Sequence, residues 1–85
     1  MAQNLLRKFK DQVGRIVSVF VDTDTKQYTI QEQLYDYLGN SMLTNHEGNT
    51  VTMISYSFPT RKACFDVLNN KYKRQTKPLR MFHKR

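Results

Sequence analysis

Eighty-five residues with five Tyr, five Phe and 39% hydrophobic residues supply one modest core, which excludes a deep, enclosed substrate cavity. No apolar run approaches the ~20 residues of a membrane span, MAQNLLRKFKDQVG lacks the apolar region of a signal peptide, and a lone cysteine, Cys64, rules out an internal disulfide. The expectation is a single cytoplasmic domain, with no membrane association, whose net charge of +7 is divided by position. Arg7, Lys8, Lys10 and Arg15 against Asp11 give +3 over residues 1–15; Lys26 against five acids gives −4 over 16–60; nine bases against Asp66 give +8 over 61–85.

In chain order, residues 3–13 predict an amphipathic helix. Leu5, Phe9 and Val13 recur at every fourth position beside Leu6, the charged residues take the other side, and Gly14 is the stop. RIVSVFVD (15–22) reads as a strand apolar on both faces, hence central or covered on both sides. DTDTK (22–26) is a polar turn. Thr29 and Glu32 have capping-box spacing, so a helix is expected from Thr29 through Ile30, Leu34 and Leu38 to Gly39. The rival is a hairpin pairing 15–22 with 26–30 through DTDT. SMLT (41–44) and TVTMISYSF (50–58) flank NHEGN as a hairpin. Pro59 and Thr60 open a helix with Ala63, Cys64, Val67, Leu68 and Tyr72 on its apolar side. Pro78 ends any helix, and residues 79–83 fit a short edge strand. The order is that of an α+β domain, a ferredoxin-like split β-α-β with an extra N-terminal helix. Residues 1–85 form one domain, with the basic segment 71–85 as its more flexible part.

VFVDTD (19–24) resembles the first-strand hexamer of the RNA recognition motif in its aromatic second position, Phe20. The spacing from Phe58 through RKACFDVLNN to KPLRM resembles that family's third-strand end, second helix and fourth strand. VTMISYSF, however, puts Met53 and Ser55 where the family has two exposed aromatics, so the chain is not assigned to it.

Function is read from the basic ends. Lys71, Lys73, Arg74, Lys77, Arg80, Lys84 and Arg85 fall within one short segment, with Tyr72 and Phe82 among them. Such cations suit phosphates, and such aromatics suit stacking on bases. Arg7 and Lys8 add a second basic surface and Phe20 another ring. A solvated tail that only limits aggregation is the plain alternative; solubility does not need the interleaved aromatics. The expectation is a regulatory nucleic-acid-binding protein, for RNA or DNA alike. The alternative is a small regulator or inhibitor of a host protein, with Tyr28, Tyr35 and Tyr56 at the interface, and an exposed edge strand suits a homodimer. Catalysis is not expected. Asp22 and Asp24 fit a turn better than the metal site of a nuclease, which needs a third acid such as Asp36 or Glu47. His46, His83 and Cys64 lack zinc-site spacing, and neither metal nor cofactor is implied.

Overall fold

The computed structural model describes residues 2–72. One device bends the chain three times, in Asp11–Arg15, Asp36–Asn40 and Asn45–Asn49. In each, the first amide donates to the fifth carbonyl, and the amide of the glycine in fourth place donates to the first carbonyl. The leading Asp or Asn side chain accepts from the third and fifth amides. The glycine φ values of 87 to 95° are left-handed, as a three-residue loop of type I turn plus bulge requires between antiparallel strands. A fourth loop, Asp22–Gln27, is held by Asp22 Oδ1 on the amides of Asp24 and Thr25 and by Lys26 N–H on the Asp22 carbonyl at 2.8 Å.

These loops join β1 (Gln3–Lys10), β2 (Ile16–Asp22), β3 (Tyr28–Gln33), the short hairpin β4 (Leu43–Thr44) and β5 (Thr50–Val51), and β6 (Ile54–Phe58); helix α1 (Arg61–Lys71) follows. The main sheet is antiparallel throughout, in the order β1-β2-β3-β6. The α+β class therefore holds, while the ferredoxin-like order does not: α1 is the one helix among the described residues. The predicted N-terminal helix is β1, and the predicted 29–38 helix is β3 followed by the Asp36 loop. The hairpin through DTDT, set aside above, is the one that forms. The segments read as strand 15–22 and as a helix after Thr60 fold accordingly. The hairpin around NHEGN forms only as β4 with β5, and the rest of the expected strand 50–58 is β6, which pairs with β3 instead; residues 79–83 lie outside the described residues.

The sheet has two unlike faces because cross-strand partners share a side. Val17, Val19 and Ile30 are fully buried under Cys64, Leu68 and Tyr72, with Leu6, Phe9, Tyr28, Phe58, Phe65 and Val67 packed around them. Thr60 caps α1 by accepting from the Ala63 amide at 3.2 Å, one of the orphan donors of a helix start. The other face pairs Leu5 with Phe20, Lys8 with Ser18, Lys10 with Ile16, and Thr29, Gln31 with Ser57, Ser55. No element among the described residues covers that face. No described helix is long and apolar enough to cross a membrane.

Candidate nucleic-acid interface

Residues 2–72 are nearly neutral, with eight basic against seven acidic side chains. The other six bases, Lys73, Arg74, Lys77, Arg80, Lys84 and Arg85, stand in residues 73–85, which contain no acid; these and Phe82 lie outside the described residues. Which bases of the folded part are free to meet an anion depends on where its carboxylates point.

Two of them, Arg15 and Lys71, flank Glu32. This residue takes an inward position of β3, opposite Val17, and is 2% exposed. A carboxylate there is tolerable only if paired and hydrogen-bonded. The Tyr72 hydroxyl donates to its Oε2, Lys71 Nζ stands 3.2 Å from the same oxygen, and the Arg15 guanidinium lies 3.8 Å from Oε1. Arg15 is itself held by Asp11, Nε to Oδ2 at 2.7 Å, while Lys71 also donates to the Tyr56 hydroxyl at 3.0 Å. The rings complete the cluster: Arg15 lies 5.2 Å from the Tyr72 centroid, Lys71 4.2 Å from that of Tyr56, and Phe9 meets Tyr72 edge-on at 6.4 Å. Burial pushes the Tyr72 phenol well up, and Glu32, which accepts its proton in a hydrogen bond, pushes it further. Burial works against the Lys71 ammonium, yet the hydrogen bonds to Tyr56 and Glu32 prevail and its pKa is raised. Tyr72, expected to stack on bases, is thus a core residue anchored to β3. Lys71, expected on a phosphate, already holds a carboxylate.

Arg7, Lys8, Lys10, Lys26 and Arg61 have no carboxylate partner among the described residues. Three of the five sit on β1, an edge strand with a bulge between Leu5 and Arg7. Lys8 and Lys10 flank the open face, where Phe20 lies half-buried between Leu5 and Thr29. Arg7 pairs with Val19 and therefore faces the helix side. Its guanidinium lies 5.1 Å from the Phe65 centroid, and that of Arg61 lies 4.6 Å from the same ring. Sequence reasoning missed Arg61 and Phe65; their four-residue spacing on a helix was the available signal.

The remaining candidates have structural uses. Asp22 organises its turn, and among the described residues no three of His, Cys, Asp and Glu converge as a metal site would require. Cys64 is fully buried, and burial raises its thiol pKa against the pull of Arg61. His46 is exposed in its loop, and His83 lies outside the described residues. At the tip of the Asp36 loop, Tyr37 is 94% and Leu38 69% exposed. No protein-family model, curated protein or solved structure matches the chain.

Proposed function

We propose that the protein binds nucleic acid and acts by occupancy rather than by catalysis. Its grip is the basic edge of β1 together with the basic segment after Tyr72. The observation that carries this reading is the contact between Tyr72 and Phe9: the segment holding Lys73, Arg74, Lys77, Arg80, Phe82, Lys84 and Arg85 begins against the strand holding Arg7, Lys8 and Lys10. The described chain thus ends, at Tyr72, beside the strand that carries Arg7, Lys8 and Lys10. Phosphate contacts supply the affinity, and each releases condensed counterions. Phe20, on the open face beside the basic strand, supplies a ring for an unpaired base. Such contacts position a polyanion without reading much sequence. RNA and DNA both present the phosphates this grip needs.

Fluorescence anisotropy with labelled single-stranded RNA, single-stranded DNA and duplex DNA tests the reading. Binding at ~50 mM salt that weakens by orders of magnitude at ~200 mM is the expected result; no binding to any of the three at the lower salt refutes it.

A second reading rests on a different feature. Tyr37 and Leu38 at the tip of the Asp36 loop, and Met42 just after it at 57% exposed, are apolar side chains in water that suit a protein partner, host regulator or second copy. On that reading, substituting Tyr37 and Leu38 abolishes capture of the partner and leaves nucleic-acid affinity unchanged.

A further inference from the structure

We infer that Arg7 and Arg61, stacked on Phe65, form a clamp for the phosphodiester backbone of a nucleic acid. The clamp rests on the nucleic-acid reading and adds a contact on the helix side of β1 that the basic termini alone do not provide.

The first argument is the use of the guanidinium. Stacking on a ring engages its face, while its five N–H donors lie in its plane and stay available for bidentate bonds to phosphate oxygens. Two such groups lie 5.1 and 4.6 Å from one centroid. Phe65 is packed against the core, so the platform is fixed before any ligand arrives.

The second is the missing acid. Asp66, the carboxylate next to Phe65 in sequence, is engaged with Lys62 at 2.9 Å. Two like charges held on one ring repel each other, and an anion with several oxygens relieves that repulsion.

The third is the bulge. On an unbroken strand, residues 5 and 7 share a face. Here the register shift leaves Leu5 opposite Phe20 and turns Arg7 to the helix side, opposite Val19. Bulges characteristically re-aim one side chain in this way. The edge of β1 consequently presents Lys8 and Lys10 on one side and Arg7 with Arg61 on the other. A backbone laid over this edge meets cations from both sides, which suits a chain of phosphates better than a single ion.

The test uses whichever of the three oligonucleotides the unmodified protein binds most tightly. Variants Arg7→Gln, Arg61→Gln and the double variant are compared with Lys26→Gln, which removes from the Asp22–Gln27 loop the same single charge as either Arg variant alone. Thermal unfolding checks that each is folded. The double variant should lose on the order of 10- to 100-fold in affinity, and the slope of log K against log salt should shrink by about 1.5, two contacts at roughly 0.7–0.9 each. Lys26→Gln should stay within about twofold, and Lys at both positions should restore the slope but not the full affinity, since Lys lacks the planar fork. Loss no greater in the double variant than in Lys26→Gln overturns the clamp and leaves the nucleic-acid reading standing. An unmodified protein that binds none of the oligonucleotides overturns both.

Discussion

Cations stack on aromatic rings at both ends of α1, with different consequences. At the C-terminal end, Arg15 and Lys71 lie over Tyr72 and Tyr56, and Glu32 and Asp11 neutralise them. At the N-terminal end, Arg7 and Arg61 lie over Phe65 with no carboxylate beside them. The rings are similar and the cations are similar; the acids decide the outcome. Where carboxylates are present the charges hold the fold together and are unavailable to a ligand. Where they are missing, the charges contribute little to the fold and remain open to an anion from outside.

The largest expected effect comes from breaking the first cluster. Glu32→Gln leaves two cations and a buried hydroxyl around a neutral amide, and removal of one partner from a buried charge set costs on the order of 3 kcal/mol. That is a large share of the stability of a domain this small. A urea melt should show it; a loss below about 1 kcal/mol would place the cluster on the surface in energetic terms.

Tyr72→Phe keeps the ring and removes one hydrogen bond to the carboxylate, a loss of about 1–2 kcal/mol at neutral pH. The pH dependence carries a sign. Burial and Glu32 raise the folded phenol above its ordinary 10.0, so the contribution is complete below about pH 10 and declines above it, where only the unfolded phenol ionises. Urea midpoints measured from pH 8 to 11 should fall more steeply for the unmodified protein than for Tyr72→Phe. Parallel curves would mean that the Tyr72 phenol ionises alike in the folded and unfolded protein.

At the opposite end stability should respond less. Phe65→Leu removes the cation–π contacts, about 0.5–1 kcal/mol at such exposed sites, and trims a ring that packs against the core, a further cost of about 1 kcal/mol, while nucleic-acid affinity should fall with the loss of the platform. A larger effect on folding than on binding would make Phe65 a core residue and nothing more. The smallest change is Asp66→Asn, which releases the exposed Lys62 beside Arg61. No measurable change in thermal stability is expected, with a modest rise in affinity; weakened binding would contradict an anion site at this end.

The sequence was legible where local signals agreed with the fold. The alternating Val17, Val19 and Val21 made β2 plain, and Thr60 with the apolar spacing after it marked α1. Two strands were mistaken for helices for identifiable reasons. In β1 the bulge breaks strand alternation after Leu5, so Leu5, Leu6 and Phe9 imitate a helical stripe. In β3 the inward series is Tyr28, Ile30 and Glu32; the charge at its third position hid the alternation, and Thr29 with Glu32 imitated a capping box although the two side chains point to opposite faces. Gly14 and Gly39 stand where helix stops would stand, yet they close hairpin loops. Each of the three glycines follows an Asp or Asn by three residues, and that shared spacing was the readable mark of hairpin loops.

The candidate site was legible in part. Basic residues were visible from composition, but which of them keep a carboxylate depends on long-range pairing. Lys71 and Tyr72 meet Glu32 across some forty residues of sequence, a contact that no local pattern announces. Arg61 is inconspicuous in the sequence because Arg7 joins it on Phe65 only through the bulge in β1.

The most direct test is to record amide NMR spectra of the labelled protein during titration with a short single-stranded oligonucleotide. The account predicts shifts at Arg7, Lys8, Lys10, Arg61 and Phe65 together with residues 73–85, while Glu32 and the Tyr37–Leu38 tip stay in place. Shifts concentrated at Tyr37 and Leu38, or none at β1, would contradict it.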